Sequence, residues 1–498
     1  MLEEADTYGS LADRLTALPG VRVSLSSTSL PKAGVDVWPR RLKTAPPRHP
    51  RQICAFPSTT LDAAEVLKVA AAGRHSVALR GRGSNVVGAI DESVDLLVGT
   101  NDLSQILSFD ATSQLLSVGA GALGNAVEEF LNDRGYTTGI YPQSIGISTI
   151  GGWVNTRATG THSARFGGIE HAVKGLVGVT AEGEVVRLGP RVRPAGGIDA
   201  LGVLIGNEGS LLLLTEVTLA VHRIARERQV CASFPTFDAG LMAQRELVQR
   251  RIPLDLVRLY NEAETAAIVR EGNPLGVTCL LMVTTSGEDD LADGQAKAVE
   301  RVIQTTSGTL IDSAAGNGWY ERRYVAANLM ESANAAPGVM FDTIEVSAPW
   351  SSAVALAQGL EDELGPISSP FYLHSSHVYE SGASLYAMVY LSAPDDESVV
   401  EQWSRCWSAA EVLVKRHAGS FGHHHGIGTV RARSYAQGFD AVAHRALKAA
   451  LDPASTFRTP LTQHAPGRDP ELEQTLEEPL NASTAGAAPD EERSLGRA

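Results

Sequence analysis

The 498-residue chain has only four cysteines, Cys54, Cys231, Cys279 and Cys406, and no pair has CxxC spacing. This argues against a disulfide framework or a thiolate metal site, so a reducing, cytoplasmic compartment is expected. No stretch approaches 18 consecutive apolar residues, so there is no candidate membrane-spanning helix. The acidic start MLEEADTYGS has no apolar core that would predict a secretory signal, and the ending LGRA is not a peroxisomal address. Positive charge is short: 42 Lys and Arg stand against 57 Asp and Glu, a formal charge of -15. Broad electrostatic binding of nucleic acid or of an anionic membrane is therefore not expected, although a local basic pocket can still hold one phosphate. A hydrophobic fraction of 43% in a chain of this length is ordinary for two or three globular domains with a large core.

The densest chemistry lies in Tyr141 to Glu170, YPQSIGISTIGGWVNTRATGTHSARFGGIE. Gly151 and Gly152 let the backbone approach a ligand, and Ser148, Thr149, Asn155 and Thr156 can donate to oxygens. Such a loop reads as an anion cradle suited to a pyrophosphate, or as a surface Gly/Ser/Thr loop without a ligand.

In chain order, a mixed segment (1–47) carries a short possible helix, Ser10 to Leu18. ICAFP reads as a strand, and Asp62 with Glu65 three residues on resembles a cap for a helix stopping at Gly73. SVALR reads as a strand feeding the loop RGRGSNVVGA, whose glycines do not match GxGxxG, so no Rossmann unit is predicted. Val94 to Val98, Gln114 to Val118, Val173 to Val179 and Glu184 to Leu188 read as strands, with one helix, Gly124 to Arg134, among them. After a boundary near His222, strands (Leu256 to Tyr260, Val277 to Thr284, Val339 to Val346, Leu385 to Ser392) alternate with helices. The helices are Ala239 to Arg250, Leu291 to Thr306, Ser352 to Leu364 and Ser398 to Arg416, with helical content returning at Ser434 to Leu451. The pattern reads as an α+β fold rather than a parallel α/β one, though it is compatible with both, and the Pro/Ala/Glu-rich tail (463–498) is expected to be disordered.

Two more clusters carry ionisable groups. His423, His424 and His425 lie in SFGHHHGIG and can act as acid, base or metal ligands, or can simply stack beneath the surface. HSSHVYESGASLY holds His374, His377, Tyr379 and Tyr386, where Tyr379 is either functional or core packing. Arg258 and Arg323 suit an anionic substrate or internal ion pairs.

The loops RGRGSNVVG and PQSIGISTIGGWVNTRATG, the segment GGIDALGVLIGNEGSLLLLTE, Glu345 with SAPW, Tyr379 with Gly382-Ala383, and HHHGIG together resemble the PCMH-type FAD-binding family typified by vanillyl-alcohol oxidase. Within it they are most similar to the alkyldihydroxyacetonephosphate synthase branch. The resemblance covers roughly 25–462. It implies a two-lobed FAD-binding domain (48–224) and a cap domain of antiparallel sheet and helices (225–462). It places FAD against Arg80, Gly81, Arg82, Gly83, Ser84, Asn85 and Gly88, against Pro142, Ser144, Ser148, Thr149, Gly151, Gly152, Asn155, Thr156, Ala158 and Gly160, and against Glu208 and Gly209. No histidine lies in 80–88, so noncovalent FAD is expected.

Hydroxy-acid dehydrogenases of the family carry two metal-binding histidines and a glutamate, which here align with Tyr379, Tyr386 and His424, a poor divalent site; no metal is expected. The synthase branch implies Tyr379 and His423 to His425 as the proton-moving groups and Arg258 on the substrate's anionic end, and Arg323, from its setting in WYERRY, is a second substrate-binding candidate. An acyl group would be exchanged for a fatty alcohol on a dihydroxyacetone unit held at flavin N5. A small-molecule or lipid substrate, a homodimer and peripheral membrane contact are further expectations. An FAD-linked oxidase or dehydrogenase of an alcohol or 2-hydroxy acid is the alternative, and a flavin-binding protein without turnover a third. Arg82, Asn85 and Leu212 depart from the family pattern in the cofactor loops.

Overall fold

The computed structural model describes residues 10–25, 39, 42, 52–193, 195–269, 276–324 and 334–463. The tail beyond 463 and most of the segment before residue 52 lie outside the described residues, as does the expectation of disorder placed on that tail.

Among the described residues three large sheets carry the chain, with a short two-stranded pair, Tyr136–Thr137 and His222–Arg223, beside them. The first runs Val21–Ser24, Ile53–Pro57, Leu96–Gly99, Val77–Arg80, with only its first pair antiparallel. The second is an antiparallel five-stranded sheet in the order Ile106–Asp110, Leu115–Gly119, Leu213–Ala220, Val173–Val179, Val185–Leu188. The helix that packs on the first sheet, Thr60–Ala72, is capped by Thr59, whose hydroxyl accepts the Asp62 amide, so the cap lies three residues before the position read from Asp62 and Glu65. Thr59 wins because its extended backbone aims the hydroxyl at an otherwise orphan N–H.

The third sheet is antiparallel and seven-stranded: Thr309–Ile311, Arg226–Phe234, Cys279–Gly287, Leu256–Tyr260, Phe371–Val378, Gly382–Ser392, Val339–Pro349. Helices Phe237–Gln249, Asp289–Thr305, Trp350–Leu364 and Asp396–Arg416 cover one face and bury the large core with Val257, Leu259, Leu385, Ala387 and Val389. Because strand side chains alternate, Arg258, Tyr260, His374, Tyr386 and Met388 are sent to the opposite face. That face looks toward the first two sheets, and the α+β reading holds.

The helical segment expected over Ser434 to Leu451 is two helices, Ala432–Tyr435 and Phe439–Leu451, separated by Gly438. The second returns to the second sheet through Leu447 and Leu451. Phe457 then enters the core of the first sheet, where the Val77 amide donates to Thr456 O.

Candidate active site

A long cleft runs between the first two sheets and the third. Its floor begins where Val77–Arg80 ends and the chain turns through Gly81 to Asn85. The Asn85 side-chain oxygen accepts the amides of Val87 (3.1 Å) and Ala89 (2.9 Å), which folds the loop on itself. Among the described residues the amides of Arg82, Gly83, Ser84 and Asn85 donate to no protein acceptor, and Gly83 has φ +74°. Consecutive free amides with a left-handed glycine form an anion nest. Across from it helix Ile150–Thr156 starts at Thr149, whose hydroxyl accepts the Gly152 amide. A Cβ on Gly81 would lie 2.5 Å from that same hydroxyl. Thr100 Oγ1, buried without a protein partner, also borders the cleft. The free amides, the orphaned hydroxyl and the close glycine approach fit a dinucleotide pyrophosphate and ribose.

The far end is built by the HHHGIG loop and the third sheet. Glu345, fully buried, accepts the backbone amides of His423 (3.0 Å), His424 (3.1 Å) and His425 (2.9 Å) and sits 3.3 Å from the buried Arg431 guanidinium. Burial works to raise this carboxyl, but the neighbouring His425, His424 and Arg431 hold it well below its ordinary value. Burial pushes His425 itself down to about 3, so at neutral pH the permanent counter-charge is Arg431. His424 lies between Glu345 and the Tyr386 hydroxyl, which is 2.9 Å from its Nε2. His377 is stacked on His423 at 5.0 Å, and its Nδ1 is 2.6 Å from Ser163 Oγ. Among the described residues, His377, His423 and His424 bring ligand atoms within 4.8 Å of one another.

Of the cofactor residues read from sequence, Arg80 to Asn85, Pro142, Ser144, Ser148, Thr149, Gly151, Gly152, Asn155, Thr156, Ala158, Glu208 and Gly209 all border the cleft. Gly88 and Gly160 do not. A Cβ at Gly160 would stand 2.1 Å from Tyr141 N, and the Gly88 carbonyl accepts the Thr429 hydroxyl, so both hold the loops together. Leu212, the departure from the family glycine, is buried in the core of the second sheet, away from the nest. Arg258, His424 and His425 border the cleft; His423 and Tyr379 stand behind its wall, joined by a 2.7 Å contact. Tyr379 lies in the tight turn that links Phe371–Val378 to Gly382–Ser392 and is 36% exposed. Tyr386, 6% exposed, borders the cleft directly.

His377 in the strand has its ring centroid 5.9 Å from that of Tyr386 and 5.0 Å from that of His424, while Tyr379 contacts His423. Three imidazoles are an acceptable donor set for several transition ions. Arg323 packs over Trp319, Tyr320 and Tyr324 in a neighbouring cavity that shares Tyr141, Ser144 and Ile147 with the cleft. Arg431 and Ser163 had gone unremarked as site residues. Only the position of Arg431, six residues after His425, signalled it.

A family model described as an FAD binding domain matches residues 51–189, and one described as the C-terminal domain of FAD linked oxidases matches residues 224–457. The chain is 26% identical over 453 residues to an alkyldihydroxyacetonephosphate synthase of Caenorhabditis elegans, covering 82% of this chain and 75% of that one. It is equally 26% identical over 450 residues to an uncharacterised FAD-linked oxidoreductase of Escherichia coli (strain K12), covering 85% and 91%. Among solved structures an alkyldihydroxyacetonephosphate synthase superposes with a TM-score of 0.74 at 20% identity, covering 90% of this chain and 85% of that one, which shows a shared fold. The chain therefore belongs to the PCMH-type FAD-binding family with an FAD-linked oxidase C-terminal domain, and FAD is its cofactor.

Proposed function

We propose that the chain exchanges the acyl group of an acyl-dihydroxyacetone phosphate for a fatty alcohol, forming an ether with no net oxidation. The observation that carries this reading is the Tyr386–His424 contact at the cleft wall, a phenol and an imidazole able to take and return a proton at C1 of the three-carbon unit. Arg258, only 4% exposed and bordering the same cleft, holds the anionic end. Residues 48–224 hold FAD and 225–462 cover the substrate. FAD, when bound, supplies the covalent and electron-pair chemistry that these side chains cannot.

A second reading, FAD-linked oxidation of an alcohol or 2-hydroxy acid, is favoured by the grouping of His377, His423 and His424. One experiment separates them. The flavoprotein is mixed without oxygen with palmitoyl-dihydroxyacetone phosphate, or with D-lactate or D-2-hydroxyglutarate, with and without added zinc. Released fatty acid, followed by ether when hexadecanol is added, supports exchange. Loss of flavin colour to a hydroxy acid, restored only by oxygen or an electron acceptor, sinks it and makes the chain an oxidoreductase.

A further inference from the structure

The cleft contains a second carboxylate–imidazole pair that the exchange reading leaves idle. His374 lies on Phe371–Val378, opposite Tyr260 on one side and Tyr386 on the other, and is 6% exposed. Its Nδ1 is 3.0 Å from both carboxylate oxygens of Glu264, which is itself buried on helix Glu262–Ile268. A carboxylate there takes Nδ1–H as a donor and leaves Nε2 with a free lone pair. Among the described residues no protein group bonds Nε2, and the ring borders the cleft. Tyr386 stacks on it at 4.7 Å and 13°, and Tyr260 packs at 5.6 Å, so the ring plane is fixed.

The ionisable groups around the ring are Glu264 from the helix, Arg258 and Tyr260 from the adjacent strand, Tyr386 from the strand on the other side, and Tyr372 on its own strand. Burial favours the neutral ring, Glu264 opposes it, and Arg258 adds to burial; the balance leaves the pKa lowered. The ring is thus an acceptor at neutral pH.

Exchange needs two proton acceptors, one for C1–H and one for the hydroxyl of the incoming alcohol. Tyr386 and His424 meet the first need. We propose that His374, positioned by Glu264, is the base that accepts the proton of the alcohol hydroxyl; this rests on the exchange reading above. The alcohol O–H bond breaks and its proton passes to His374 Nε2 while the oxygen bonds C1. The C1–O bond to the acyl group breaks with its electron pair leaving on the fatty-acid anion, so nothing is oxidised or reduced overall.

The test uses the holoenzyme and labelled palmitoyl-dihydroxyacetone phosphate, measuring fatty-acid release in a single turnover without alcohol and ether formation after hexadecanol is added. His374→Asn keeps a donor for Glu264 but has no counterpart of Nε2. It is expected to release fatty acid normally and to form ether about 100-fold more slowly. Glu264→Gln is expected to slow ether formation and to move its acid limb to lower pH, because the carboxylate that raises the base's pKa is gone; Glu264→Asp restores the limb. FAD content and thermal unfolding verify that each variant folds. Ether formation at the wild-type rate in a folded His374→Asn, or an unmoved acid limb in Glu264→Gln, overturns the proposal while leaving exchange intact. A wild-type enzyme that releases no fatty acid overturns both.

Discussion

The Glu208 carboxylate accepts the amide of Gly428 at 3.0 Å and also that of Ile427, tying a loop of the cofactor side to the end of the HHHGIG loop. Glu208 adopts φ +49° and is 8% exposed, and burial raises its carboxyl above the ordinary value, so its place is defined by these two donors rather than by solvent. Glu208→Gln keeps one acceptor and turns an NH2 group toward a backbone N–H. The loss of one buried hydrogen bond to a charged group costs about 1–3 kcal/mol. The expected outcome is a lower unfolding temperature and a roughly tenfold weaker FAD complex. Unchanged flavin affinity by titration would show that the two loops are not coupled.

The Glu345–Arg431 pair predicts a larger effect. Arg431 is fully buried, faces Trp407 at 5.1 Å and donates to Gly426 O at 2.6 Å. Glu345→Gln leaves that guanidinium without its carboxylate and weakens the seat for three backbone amides. Breaking a buried pair from one side costs about 3–5 kcal/mol. Because the Glu345 carboxyl is held below 4.5, its contribution is complete above that pH and disappears as pH falls through the folded value. Urea unfolding at pH 7 should show the full deficit in Glu345→Gln, and the gap to wild type should narrow in acid.

How much of this was legible in the sequence follows from which forces leave a periodic trace. Helices such as Trp350–Leu364 and Asp396–Arg416 were read to within two residues because their buried faces repeat along the chain. Strand Phe371–Val378 was not read as a strand, since Ser375, opposite Leu385 on the core face, interrupts the apolar alternation and a register shift follows before Val378. The cofactor loops announced themselves through glycine and hydroxyl density. The sequence reading names Tyr379 rather than Tyr386 among the proton-moving groups, because which of the two borders the cleft depends on where a tight turn ends a strand pair. Arg431 and Glu345 meet only in three dimensions, so neither could be assigned its partner.

Glycines in the cradle predict opposite outcomes. A Cβ on Gly152 meets only Thr149 Oγ1, at 3.1 Å, and otherwise faces the cleft. Gly152→Ala should fold at least as well as wild type, since a helix favours alanine by about 1 kcal/mol, yet bind FAD weakly. Gly160→Ala drives a Cβ to 2.1 Å from Tyr141 N and should fail to fold. Thermal unfolding of the FAD-free proteins, paired with flavin titration, checks both.

The two tyrosines separate in the same way. Tyr386→Phe removes the hydroxyl at the cleft and should slow turnover about 100-fold. Tyr379→Phe breaks only the contact to His423 behind the wall and should slow it less than about tenfold. Equal losses under the exchange assay would mean that Tyr379 acts on the substrate, and the proton network would have to be redrawn through His423.

Acid should weaken the fold through its buried histidines. Burial, more than any neighbouring charge, pushes His425 down to about 3 and His162 and His444 to about 4, against an ordinary 6.5. Between 6.5 and those values the unfolded chain binds protons that the folded chain refuses, so stability rises with pH across that window and falls as pH drops through it. The neutral His444 ring lies 2.7 Å from Ser210 Oγ, where the returning helix Phe439–Leu451 clamps the Glu208 loop. His444→Gln keeps a partner for Ser210 and removes one titrating group. Its unfolding midpoint should therefore fall less steeply between pH 7 and pH 5 than that of the wild type. An identical slope would mean that the His444 ring takes up its proton at the same pH in the folded and the unfolded chain.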